Sequence, residues 1–192
     1  MSSFIRFAGV AAVILSLGLF AAALPVIVGI DIVTPVGVDA VSCVFKHALL
    51  DLNLVPKIKA LLDCKNIVEL ELAAKPIVVV FQVCVNELLK IGAGVQVEAD
   101  AKLSLIACVT SIITLLVQVL VQVCVKFGVA ATLHLCAQID AVVHLCLINL
   151  DVCVAGIVAL IFNGLGAVIS LFVQVNLKLC LDVLVKASAA LA

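Results

Sequence analysis

The sequence contains no tryptophan and no tyrosine, and it has a single methionine. Its only arginine is Arg6, close to the start of the chain. Binding hot spots draw most of their energy from Trp, Tyr and Arg side chains, so these absences argue against a conventional recognition surface. Charged residues make up 12% of the chain, whereas ordinary soluble domains contain about 25%. The net charge of −1 also gives no electrostatic basis for binding nucleic acid.

Motifs of catalysis and metal binding are absent as well. The chain has no Gly-x-Ser-x-Gly, no phosphate-binding P-loop, no His-Glu-x-x-His and no Cys-x-x-Cys. His134 and His144 are ten residues apart, about 15 Å along one helix, which is too far to share a metal. Asp140, four residues before His144, predicts a solvated pair on a helix surface. We therefore predict a protein that is not an enzyme, without catalytic, cofactor-binding or metal-binding residues.

Apolar residues dominate the composition of the chain. They form 67% of the chain, against about 45–50% in ordinary soluble domains. A chain of this size cannot bury so much apolar surface, so part of it must meet lipid, a ligand, copies of itself or an air–water boundary. The charges are also uneven, because sixteen lie between 31 and 102 and only six lie from 103 onward.

The N-terminal residues indicate export. Arg6 precedes an apolar run over 8–20, and the small residues Ala21 and Ala23 then form an A-x-A cleavage pattern. An uncleaved signal anchor is the alternative interpretation. The prediction is a signal peptide over 1–23 and one helical domain over 24–192, with a more polar front half (24–102) and a very apolar back half (103–192). A secreted or cell-wall location follows from it.

Nine cysteines in a secreted chain predict disulfide bonds. Because nine is odd, we expect four bridges and one free thiol. Around Cys84, Cys124, Cys136 and Cys180 a polar residue stands two positions before and two positions after the cysteine, and around Cys146 and Cys153 one stands two positions before. In a helix this pattern places the thiol inside and the polar groups outside. The bridge candidates are Cys43, Cys64, Cys84, Cys124, Cys136, Cys146, Cys153 and Cys180. Cys108, on a polar stripe, is the predicted free thiol.

The stretch 117–127, VQVLVQVCVKF, fits either a strand or a helix, and a wider window favours the helix. Its polar residues continue a spacing of three or four that begins at Ser104 and includes Ser111, Thr114 and Gln118. The sequence therefore predicts an all-α, disulfide-stapled bundle of five or six amphipathic to strongly apolar helices. Their predicted ranges are 36–54, 57–74, 76–91, 98–127, 129–162 and 167–187, with Pro35, Pro56 and Pro76 opening the first three.

The layout of the whole chain resembles a family of small secreted, hydrophobic, non-hydrophobin wall proteins of mushroom-forming fungi. The shared features are the signal peptide, the more polar front half, the very apolar back half and the length. The resemblance implies association with the hyphal wall, aerial growth and attachment to hydrophobic surfaces. The chain lacks the Cys-Cys doublets of hydrophobins.

The leading functional prediction is a secreted structural protein that self-assembles at hydrophobic–hydrophilic interfaces. Its expected partners are copies of itself, hydrophobic surfaces or lipid, and cell-wall polymer, without a cofactor or nucleic acid. One alternative is a multi-pass membrane protein, since 103–125 and 152–177 are uncharged and long enough to span a bilayer. The other is a secreted helical module with an apolar pocket for lipid.

Overall fold

The computed structural model of the protein describes residues 30–190. These residues form eight α-helices and no strand, so the all-α prediction is confirmed, including a helix through 117–127. The helices are α1 (Ala40–Lys46), α2 (Leu54–Ala60), α3 (Ile67–Ile91), α4 (Ala99–Phe127), α5 (Val129–Cys153), α6 (Ile157–Gly164), α7 (Ile169–Gln174) and α8 (Lys178–Ala189). A π-helical turn, His47–Asp51, continues α1. The predicted signal peptide, 1–23, lies outside the described residues.

Helix α4 lies at the centre of the bundle. It contacts α1, α2, α5, α6 and α7, while α3 and α5 form the most extensive helix pair. Leu115, Leu116 and Val117 are fully buried, and because successive residues of a helix point about 100° apart, they lie on different sides of α4. A helix that is surrounded by others needs apolar residues all round. Much of the apolar surplus in the back half is therefore absorbed by this central position.

The polar stripe of α4 does not face open solvent as the sequence predicts. The Ser104 hydroxyl accepts a hydrogen bond from the Val36 backbone N–H at 2.9 Å, and the Ser111 hydroxyl accepts one from Val33 at 3.3 Å. These bonds hold the extended segment that precedes α1 against α4. The stripe serves as a binding face for the chain's own backbone, because an extended segment needs side-chain partners for its amides.

Helices α1 and α3 begin at polar caps and not at the prolines. Asp39 caps α1, with its carboxylate accepting from the Ser42 backbone N–H at 2.8 Å. Asn66 caps α3, where its side chain accepts from the Glu69 N–H at 2.9 Å while Glu69 reaches back to the Lys65 N–H. This is a variant of the capping box in which Glu69 bonds the residue before the N-cap, and it fixes the start of α3 at Ile67. Pro76 therefore lies inside α3, and the predicted helix boundary there is wrong.

The helices of the back half are interrupted more often than predicted. Helix α5 ends at Cys153 and not near 162, since Gly156 adopts a left-handed conformation with φ 74°. A second interruption occurs at Asn176, with φ 60°, so 167–187 is not one helix. The segment 152–177 consequently contains two helices of eight and six residues. Neither can cross a hydrocarbon layer about 30 Å thick, so this predicted membrane span is not a continuous helix.

Candidate functional site: an exposed apolar face and a buried thiol pair

One side of α5 is both apolar and exposed. Its members step by three or four residues along the helix, which places them in one row about 28 Å long. We call this row the α5 outer face, and it consists of Leu133, Ala137, Ala141, Leu145, Ile148 and Val152. Ala141 is half-buried and the others are exposed, with Val152 52% exposed. Nineteen large hydrophobic side chains are exposed in the described residues, but this face aligns four of them on one helix.

Both charged residues of α5 are committed to intramolecular bonds. Asp140 is buried, and its carboxylate accepts hydrogen bonds from the backbone N–H groups of Leu179 and Cys180, each at 2.9 Å. The expected surface pair of Asp140 with His144 is therefore wrong, because the carboxylate serves the N-terminus of α8 instead. Asp151 accepts from the Val158 N–H at 3.1 Å, beyond the end of α5. The α5 outer face is left without a formally charged carboxylate or ammonium group.

A second apolar surface is a groove of about 390 Å³ beside α3. Its apolar walls come from Leu72, Val79 and Val83 on α3 and from Leu52, which follows the π-helical turn. Lys75 also lines it, as does Lys57. The groove is open to the surface and carries cationic side chains at an apolar wall, an arrangement that suits an amphiphile with an acidic head.

Two described helices, α4 and α5, are long and apolar enough to cross a membrane by length and composition. The predicted span 103–125 lies within α4. In the most apolar window of α4, 61% of the residues are buried against other helices, as expected of a core helix. The corresponding share for α5 is 50%, because its outer face is uncovered.

The cysteines lie as the polar-x-Cys-x-polar pattern predicts. Each thiol in that pattern is buried while its polar neighbours are exposed or half-exposed, as at Cys84 between Gln82 and Asn86. Cys108, the predicted free thiol, is also fully buried although it lies on the polar stripe of α4. Cys43 is exposed. All nine cysteines lie within the described residues and carry unbonded thiols, so the predicted disulfide staples are not shown.

Two thiols face each other where α4 turns into α5. The Cys124 and Cys136 sulfurs are 3.8 Å apart, and the Cys124 sulfur is 3.2 Å from the Thr132 hydroxyl oxygen. Gly128 alone connects the two helices, with φ 88° and ψ 141°. Residues 132 and 136 share one side of α5 and face the last turn of α4. The hydrogen bond with Cys136 lowers the pKa of Cys124 against the effect of burial, and the hydrogen bond with Thr132 acts in the same direction.

The thiol of Cys136 behaves in the opposite way, since the same hydrogen bond and burial raise its pKa. A second buried contact joins α3 and α5, where the hydrogen bond with Cys84, followed by burial, raises the pKa of Cys146. Burial raises the pKa of Cys108 to about 12, and it raises that of Cys180 together with a hydrogen bond to Asp140. These four thiols are therefore disfavoured as thiolates, whereas the pKa of Cys124 is shifted in the opposite direction.

Within residues 30–190, no group of three or more His, Cys, Asp and Glu side chains is placed to hold a metal ion. Comparison of the chain with protein-family models, curated proteins and solved structures finds no match. The surface and the thiols themselves are therefore the features that bear on function.

Proposed function

We propose that the protein is a secreted, non-enzymatic, surface-active protein that adsorbs to boundaries between water and an apolar phase and self-associates there. The observation that carries the proposal is the α5 outer face. The row is apolar and exposed, and both carboxylates of α5 accept hydrogen bonds elsewhere in the protein. Exposure of this row to water costs free energy, and contact with air, lipid or a hydrophobic wall removes that cost.

The size of the effect is sufficient for stable adsorption. Removing apolar surface from water contributes about 25 cal/mol per Å², so a patch of roughly 300 Å² contributes about 7–8 kcal/mol per molecule. Because the row runs along one straight helix, the whole face can lie flat on a boundary at once. The bundle keeps its buried core during this contact, and adsorption does not require unfolding.

The sequence supports the secreted location in this proposal. The predicted signal peptide over 1–23 supports secretion, and the layout resemblance to secreted fungal wall proteins supports attachment to cell walls and hydrophobic surfaces. An oxidising destination would also let some of the buried thiols pair as disulfides. Self-association follows from the same physics, since two outer faces can cover each other when no other apolar phase is present.

Tensiometry of the purified chain in detergent-free buffer tests the proposal. The chain should lower the surface tension of water and leave a film that survives rinsing. A triple variant, Leu133→Gln, Leu145→Gln and Ile148→Gln, should lose most of this activity while its circular dichroism stays helical, because these side chains are exposed.

A matched control removes equally large hydrophobic groups that do not form a row. Val36, Leu50 and Leu103 are each more than 60% exposed and lie on three different elements. Their simultaneous replacement by glutamine should leave the surface activity within about twofold of the unaltered chain, although more exposed apolar area is removed. Equal loss in both triple variants would show that hydrophobicity in general, and not the α5 outer face, causes adsorption.

Lipid binding is the second candidate function, and the groove beside α3 is the observation that favours it. A long-chain fatty acid could place its tail against Leu72 and Val79 and its carboxylate near Lys75. Native mass spectrometry would then show one fatty acid per chain, reduced by Leu72→Gln. A compact monomer that carries this ligand and leaves surface tension near that of buffer would favour this function over surface activity. Protein found only in membranes and soluble only in detergent would contradict both.

A further inference from the structure

The connection between α4 and α5 has the geometry of an unformed crosslink. The Cys124 and Cys136 sulfurs are in van der Waals contact at 3.8 Å, and a disulfide needs them at about 2.05 Å. The two sulfurs must therefore approach each other by about 1.8 Å for the bond to form. The Thr132 hydroxyl, 3.2 Å from the Cys124 sulfur, interacts with the backbone carbonyls of Gly128 and Val129 and so keeps the local geometry fixed.

We propose that Cys124 and Cys136 are a disulfide-forming pair that joins α4 to α5 across the Gly128 turn when the protein meets a small-molecule disulfide oxidant such as oxidised glutathione. The pairing does not depend on the surface activity proposed above, because the disulfide is detected in protein dissolved in bulk buffer.

Several other cysteines are occupied differently, although Cys84 and Cys146 also share a hydrogen bond in the core between α3 and α5. The thiols of Cys64, Cys153 and Cys180 donate to the backbone carbonyls of Ala60, Leu88 and Asp140. Cys43 is exposed and interacts with the Val38 carbonyl at 3.7 Å. Donation to a carbonyl holds a thiol away from a neighbouring sulfur. Cys124 and Cys136 instead interact with each other, and Cys124 lies beside the exposed residues at the end of α4, where an oxidant can arrive.

The reaction is a pair of thiol–disulfide exchanges. The Cys124 thiolate attacks one sulfur of oxidised glutathione, which forms a mixed disulfide and releases one glutathione thiolate. Once Cys124 is in the mixed disulfide, it no longer raises the pKa of Cys136 as a thiolate hydrogen-bond partner. Cys136 then gives its proton to the released glutathione thiolate, attacks the Cys124 sulfur and releases the second glutathione. The two protein thiols lose two electrons and two protons, and oxidised glutathione takes up both to become two molecules of reduced glutathione.

Peptide mapping tests the pairing directly. The full chain is reduced, incubated with oxidised glutathione, alkylated and digested without further reduction by trypsin and a protease that cuts before aspartate. Cleavage after Lys102 and Lys126 and before Asp140 yields peptides 103–126 and 127–139. These should be recovered linked, and fragmentation should place the bond on Cys124, with Cys108 alkylated. Cys136 is the only cysteine in its peptide.

Variants separate this bond from others in the same protein. Cys124→Ser and Cys136→Ser should each abolish the linked peptide, while Cys43→Ser and Cys108→Ala should retain it. Closing this 13-residue segment should raise the melting temperature by roughly 6–12 °C on oxidation, and Cys136→Ser should not show the rise. Recovery of Cys124 and Cys136 both alkylated from the unaltered, oxidised chain, or of Cys124 linked to another cysteine, would overturn the proposal even if the serine variants fail to fold.

Discussion

Replacement of Asp140 by alanine should destabilise the protein strongly, although the residue is remote from the α5 outer face. Its carboxylate accepts from the Leu179 and Cys180 N–H groups, the second and third residues of α8. These are the donors that an N-cap side chain normally satisfies, but the N-cap here is Leu177, which has no polar side chain. Asp140 thus caps α8 from another helix.

The magnitude follows from the two bonds. A hydrogen bond to a charged group is worth about 1.5–3 kcal/mol, and an N-cap replaced by alanine costs about 0.5–2 kcal/mol. The two donors and the helix N-terminus belong to one interaction, so these values overlap and do not add in full. We expect Asp140→Ala to lower the free energy of unfolding by about 2–4 kcal/mol. Asp140→Asn keeps one acceptor oxygen and should lose about half as much.

Urea unfolding followed by circular dichroism measures the loss, and hydrogen exchange of the Leu179 and Cys180 amides locates it. The control is Asp182→Ala on the same helix, where an exposed carboxylate pairs with Lys186 at 2.6 Å. An exposed pair contributes little, so this control should change stability by less than about 1 kcal/mol. Equal stability of Asp140→Ala and the unaltered chain, with unchanged protection of the two amides, would refute the capping argument.

Three further predictions concern the central helix and its turn. Gly128→Ala should lower stability by about 1–3 kcal/mol in the same unfolding assay, because φ 88° strains any residue with a Cβ although open space surrounds it; an unchanged midpoint would contradict this. Thr110→Val should raise stability by about 1 kcal/mol, since the Thr110 hydroxyl is buried without a hydrogen-bond partner among the described residues, and Thr110→Ser should not. The rate of oxidation by glutathione disulfide should increase with pH and reach half its maximum below about pH 8.5, because the hydrogen bond with Cys136 lowers the pKa of Cys124. A half-maximum near 8.5, the ordinary value for a thiol, would exclude Cys124 as the attacking group, and Thr132→Val should move the half-maximum upward.

Local patterns in the sequence predict the parts of the fold that local physics determines. The spacing of polar residues along 98–127 predicts a helix that the structure places at Ala99–Phe127, and the break expected at Gly128 is confirmed. The direction of the thiols is also predictable, because residues two positions apart point to opposite sides of a helix. At Asn66 the capping box is present in the sequence, but the proline at 76 is the more conspicuous signal.

Such local patterns do not predict tertiary contacts. Asp140 pairs with His144 when only its own helix is considered, yet its partners lie 39 and 40 residues away. The stripe of α4 looks solvated until the segment around Val33 covers Ser111. Cys108 lies on that stripe and is buried as well, with Cys84 of α3 close enough to influence its pKa. The sequence also cannot select partners among nine thiols, since pairing depends on how the helices cross.

The one-residue connection at Gly128 bears on whether the chain can exchange halves with a second copy. Glycine can also adopt right-handed helical angles, and α4 and α5 would then merge into a single rod of about 80 Å. Such a rod is the usual intermediate of domain swapping, in which each copy donates α5 and the helices after it to the other. In the rod, Cys124 and Cys136 are about 18 Å apart and cannot be bridged. A bond between them therefore permits only the closed hairpin and keeps each bundle made of one chain.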